Sequence, residues 1–196
     1  MLARPSVGII LLLCAMSGCV SSEHGLALPD DEKVVFDPAL LGDWTYVDPS
    51  GGSQATMLRV ERLGDEGTKT YTLTWSADGS VAPGQGPQQA KGSLVVIGDS
   101  RYLDLASIDK KDGDRHMFFK LKRQNTSLTL QSINPNYLST HPKSLAHRFD
   151  EGGSGRISIQ IPVLTATTPE LRRFLEAHQA DPELWSEELS YKFQRR

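Results

Sequence analysis

The feature that most constrains this chain is a period-two alternation of apolar and polar side chains, repeated in short runs. Leu58 and Val60 stand opposite Arg59 and Glu61, and Tyr71, Leu73 and Trp75 opposite Thr70, Thr72 and Thr74. Leu103 and Leu105 alternate with Tyr102 and Asp104, and Met117, Phe119 and Leu121 with His116, Phe118, Lys120 and Lys122. Leu128 and Leu130, then Ile157, Ile159 and Ile161, then Leu189, Tyr191 and Phe193 continue the pattern. Successive side chains of a strand point to opposite faces, so each run is a half-buried strand. Turn formers separate the runs: Pro49-Ser50-Gly51-Gly52, Asp78-Gly79, the loop Ala82–Pro87, Gly98-Asp99 and Asp112-Gly113-Asp114. About nine short strands at hairpin spacing predict a mainly β fold, an antiparallel barrel closed or nearly so. Closure removes the unpaired edges that an open sheet would expose.

One helix interrupts the pattern before the last strand. Thr168-Pro169-Glu170 offers a cap, a proline at the first helical position and an acid in the first turn. Leu171, Phe174, Leu175 and His178 then share one face, while Arg172, Arg173 and Glu176 face water. Residues 134–155 break the even spacing with Asn134-Pro135-Asn136, His141-Pro142 and Gly152-Gly153-Ser154-Gly155, and read as an insertion holding a turn or two of helix around 138–149. The 196 residues contain no internal repeat and fit one domain, spanning 37–196. A net charge of −3 offers no basic stripe, so no nucleic-acid partner is expected.

The amino terminus sets the location. Arg4 precedes the apolar run Val7–Ala15, which is too short to span a bilayer, and Met16-Ser17-Gly18-Cys19 follows. A charged start, a short apolar run and small residues before a cut are the marks of an export signal. Ending on a cysteine, the stretch resembles the lipobox of bacterial lipoproteins. The resemblance implies a signal peptide over 1–18 and a diacylglycerol on Cys19. Cys14 would leave with the signal and Cys19 would carry lipid, so the mature domain would hold no disulfide, thiol nucleophile or thiolate metal site. The expected location is the cell envelope, held by acyl chains. Val20 stands where an aspartate would mark inner-membrane retention, which favours the outer membrane if there are two. Residues 19–36, with Ser21-Ser22, Gly25, Pro29 and Asp30-Asp31-Glu32, read as the acylated cysteine and a flexible tether.

Gly42-Asp43-Trp44, just before the first strand, resembles the Gly-x-Trp signature of lipocalins. The resemblance implies a lipocalin-like barrel in which the tryptophan plugs one end under an arginine near the chain end, here Arg195 or Arg196. A Thr-Asp-Tyr-like corner, the family's second motif, is absent. Taken whole, the chain is similar to the small lipocalin-like lipoproteins of bacteria.

Chemistry-bearing clusters are sparse. His141 and His147 bracket a loop with Asp150 and Glu151, but six-residue spacing across Pro142 suits no helical metal pair. His116 faces outward with Lys120 and Lys122, and His178 sits on the apolar stripe of the helix. Glu187 and Glu188 are adjacent and would point apart. Ser76, Ser100 and Ser107 lack a nucleophile elbow, and the glycine-rich stretches lack a phosphate-binding lysine. No catalytic residue, metal or cofactor is expected, and an enzyme is not expected. The aromatic set Trp44, Tyr71, Trp75, Phe119, Tyr191 and Phe193 is the candidate barrel interior. Trp44, Tyr71, Trp75, Phe119 and Tyr191 are the candidate contacts to a small apolar ligand. The expected role is non-catalytic binding of such a ligand. The alternative is a filled barrel acting as an envelope scaffold, an interaction protein or a protease inhibitor.

Overall fold

The computed structural model describes residues 20–28, 30–48, 56–77, 88–107, 115–152, 159–185 and 187–196. Cys14, Cys19 and the 1–18 segment lie outside the described residues. Two short strands come first, β1 (Ser21–Ser22) and β2 (Val34–Val35), followed by β3 (Gly42–Tyr46), β4 (Thr56–Arg62) and β5 (Thr70–Ala77). The long hairpin β6 (Gln88–Ile97) and β7 (Ser100–Ser107) leads to β8 (His116–Gln124) and β9 (Ser127–Ser132). After helix α1 (Pro135–Thr140) come β10 (His147–Gly152), β11 (Ile159–Leu164), helix α2 (Thr168–Ala177) and the last strand, β12 (Ser190–Arg195).

Strands β3 to β9 are sequential antiparallel neighbours, and β12 pairs with both β9 and β3. The ring is therefore closed: an eight-stranded antiparallel barrel, with four further strands outside it. Register explains which side chains face inward. Trp44 stands opposite Leu58 and Leu58 opposite Trp75, while Leu94, Leu103 and Phe119 line up across three strands. Gly92 sits in this interior, where an added Cβ would lie 2.5 Å from a Leu73 methyl.

The interior is one of two cores. The second lies on the outer wall, where Val95, Ile97, Tyr102 and Phe118 point away from the barrel and are covered by Leu171, Phe174 and Leu175 of α2. Strands β6 to β8 are thus apolar on both faces, which is why Leu94–Ile97 reads as a continuous apolar run. The α2 cap is Thr167, one residue earlier than the sequence suggests; the Glu170 carboxylate accepts from its N–H at 2.8 Å and its hydroxyl at 2.7 Å. Tyr102 is fully buried and donates its hydroxyl to Leu175 O at 3.3 Å.

Burial pushes the Tyr102 phenol up from 10.0 to about 12. The folded chain keeps a proton that the unfolded chain releases, so stability complete below pH 10 is lost as pH rises towards 12. The loss from this group is about 3 kcal/mol over that window. Tyr102→Phe is expected to cost about 1 kcal/mol at neutral pH and to flatten the alkaline decline in a urea-denaturation series.

Two expectations need correction. Residues 20–36 are not a loose tether. Val20, Leu26 and Val34 are buried; β1 pairs with β8 and β11, and β2 pairs with β6. Polar residues there disguise three apolar side chains, Val20, Leu26 and Val34, that pack on the outer wall, while Val35 and Phe36 pack on the barrel interior. The insertion 134–155 likewise holds more than helix. Asn134 caps α1, accepting from Asn136 N–H at 3.1 Å, and the second half forms β10 against β11.

Candidate functional site

The barrel has two unlike ends. At the lower end, where β3, β5, β7 and β9 begin, the interior is sealed. Trp44 is fully buried and donates its indole N–H to Leu40 O at 2.9 Å. Arg195 lies over its ring, 5.5 Å from the centroid, and donates to Leu41 O at 2.8 Å. Arg195, not Arg196, therefore takes the place beside Trp44. Gly42 makes room: its φ is +123°, and a Cβ there would lie 3.4 Å from the Arg195 guanidinium.

Tyr71 completes the floor. It is fully buried, its oxygen accepts from Asp37 N–H at 2.7 Å, and its ring stacks on Phe36 at 5.0 Å. Burial raises its phenol above the ordinary range. Asp37 pairs with the inward-facing Arg101 at 2.9 Å and lies 3.7 Å from Arg123, so the segment 36–41 is tied across the lower end of the barrel.

The upper end is where β4, β6, β8 and β12 begin. Tyr46, Trp75, Met117 and Tyr191 point inward there and are only partly buried, although all four pack on the interior core. Tyr46 lies 6.4 Å from Tyr191, and Tyr191 makes an edge contact with Phe119 at 6.1 Å. Phe119 itself is buried in the middle layer. The five ligand candidates are thus split. Trp44 and Tyr71 build the floor, Phe119 is mid-barrel packing, and only Trp75 and Tyr191 stand at the upper end, joined by Tyr46 and Met117, which the sequence reading did not select as ligand contacts.

A cleft of about 700 Å³ lies on the outer wall, between β5–β8 and the segment 27–34. Asp104 and His116 reach it. Asp104 is buried; one oxygen accepts from Leu26 N–H at 2.6 Å and Ala27 N–H at 3.1 Å, and the other meets His116 Nδ1 at 2.7 Å. Gly25 crosses so closely that a Cβ would lie 2.6 Å from the His116 ring and 2.9 Å from Asp104. Arg172 of α2 adds bonds to Leu26 O and Asp31. These groups bind the amino-terminal segment to the wall. The sequence signal was present in Asp104, an acid flanked by Leu103 and Leu105, but its partners lie 78 and 12 residues away.

Three other histidines, His141, His147 and His178, are locally engaged. His141 stacks on Tyr137 at 4.3 Å, His147 Nδ1 lies 2.8 Å from Leu145 O, and His178 stacks on Phe174 at 4.4 Å. Among the described residues no group of three or more His, Cys, Asp or Glu is placed to hold a metal ion, and no helix is long and apolar enough to cross a membrane.

Fold and site together define a closed antiparallel barrel with a plugged floor, an aromatic upper end and a helix-covered outer wall. No protein-family model, curated protein or solved structure matches the chain.

Proposed function

We propose that this protein is a lipid-anchored, lipocalin-like binding protein of the bacterial envelope that takes a small apolar molecule at the upper end of its barrel, without catalysing a reaction. The observation that carries the reading is the contrast between the two ends. The floor is closed by fully buried Trp44 and Tyr71, whereas Tyr46, Trp75, Met117 and Tyr191 leave apolar surface partly open at the top. Partly exposed aromatic surface on a rigid wall favours an apolar partner, because binding removes that surface from water with little new side-chain ordering. The Arg195–Trp44 contact supports kinship with lipocalins.

Titration with an environment-sensitive fatty-acid probe tests the ligand class. The wild-type chain is expected to bind it with saturable quenching of tryptophan emission, and Trp75→Ala to weaken binding about tenfold, the effect of losing roughly 1.4 kcal/mol of contact. Wild-type affinity in both Trp75→Ala and Tyr191→Ala would count against the site. The anchor is tested by metabolic labelling with a tagged fatty acid. Wild type should take up label and Cys19→Ala should not; an unlabelled wild type would remove the anchor from the proposal.

One observation favours a second reading, an envelope scaffold or inhibitor with a filled barrel. The lower and middle layers are already packed by Leu58, Leu73, Leu94 and Leu105, which leave little of their surface open. On that reading the probe does not bind saturably.

A further inference from the structure

We propose that the outer edge of β10 pairs with the same edge of a second copy of this chain, in an antiparallel register centred on Phe149. The sheet ends at β10, and among the described residues no strand pairs with its outer side. Such an edge presents a row of backbone donors and acceptors ready for another strand.

Two bonds reveal which residues face outward. Leu164 O accepts from Glu23 N–H, so Leu164 directs its backbone towards β1, and Pro162, two residues earlier, does the same. Ala146 O accepts from Thr165 N–H, so the even-numbered residues leading into β10 direct theirs towards β11. The register sets Arg148 against Val163 and Asp150 against Ile161. It follows that His147, Phe149 and Glu151 point their N–H and C=O groups at the free edge. The missing N–H of Pro162 thus costs the β10 ladder nothing.

A two-fold axis at Phe149 converts these outward groups into a ladder with its own copy. Phe149 meets Phe149, and His147 meets Glu151 on each side, each as a pair exchanging two backbone bonds. Side chains match in the same register. Arg148 falls opposite Asp150 of the other copy and Asp150 opposite Arg148, while Phe149, 40% exposed, is covered by its counterpart. Arg148 and Asp150 are already held in place: Arg148 pairs with Glu23 and with Asp150 of its own strand at 2.8 Å, and Asp150 with Arg115 at 2.5 Å, so a second copy extends this charge cluster. Slipping the axis by one residue would aim β11-directed groups at the partner and set Arg148 against Arg148. A shift of two residues would break both Arg–Asp pairs. The strand is self-complementary in one register.

The test is the mass of the full chain in detergent under reducing conditions, read by sedimentation equilibrium. Wild type is expected to show a concentration-dependent dimer. Phe149→Lys and Phe149→Glu, both at an exposed position, should each be monomeric, because like charges meet at the axis. An equimolar mixture of the two should restore the dimer. A wild-type monomer at every concentration, or a dimer that survives Phe149→Lys unchanged, would overturn the proposal. Variants that stay monomeric when mixed would overturn the register.

Discussion

Trp44→Ala is expected to destabilise the barrel by about 3–5 kcal/mol, a large part of the roughly 5–15 kcal/mol that holds a domain of this size together. Trp44 is fully buried, and three contributions vanish together: its packing against Leu58, its bond to Leu40 O and the platform for Arg195. Arg195→Met separates them. That variant keeps the aliphatic contact over the ring and loses the guanidinium's bonds to Ala39 and Leu41, so a cost of about 1 kcal/mol is expected. Urea denaturation of both variants checks the order. An Arg195→Met cost equal to that of Trp44→Ala would shift the weight of the floor from packing to the cation.

Asp104→Ala is expected to cost roughly 3 kcal/mol and to do so locally. Its carboxylate satisfies the buried Leu26 N–H and the half-buried Ala27 N–H, and orients His116. Removing it leaves the buried Leu26 donor and the part-buried Ala27 donor without their acceptor. Amide exchange at Leu26 and Ala27 should accelerate well beyond that of β7, as the segment from Gly25 to Val34 lifts from the wall. His116→Ala should be milder, because Asp104 still accepts both amides. Full protection at Leu26 in Asp104→Ala would mean that the segment is held by Arg172 and the apolar contacts of Leu26 alone.

These two sites show where the sequence was readable. Trp44 announced itself through the Gly42-Asp43-Trp44 motif, although it lies within β3 and not before a first strand, and strand alternation carried the barrel because each strand has one face towards a single interior. What stayed hidden was the second core. Leu26 and Val34 open the short apolar runs Leu26–Leu28 and Val34–Phe36 on either side of Asp30, Asp31 and Glu32, and nothing local says that an outer wall awaits them. β10 was hidden for the opposite reason. His147–Gly152 is charged on both faces, because one side is solvated and the other is held by ion pairs rather than apolar packing. The candidate site was half legible. Inward-facing aromatics can be counted from alternation, but whether one plugs the floor or stands at the top depends on strand direction and register. Trp44 and Trp75 flank the same Leu58 across neighbouring strands, yet only Trp44 is fully buried.

The central claim is that the upper end holds an apolar molecule, and native mass spectrometry of the full chain tests it most directly. The wild-type protein is expected to carry a discrete non-covalent addition of fixed mass, depleted in Trp75→Ala and recovered in an organic extract. A wild-type spectrum free of any such addition, or an identical one in Trp75→Ala, would contradict it.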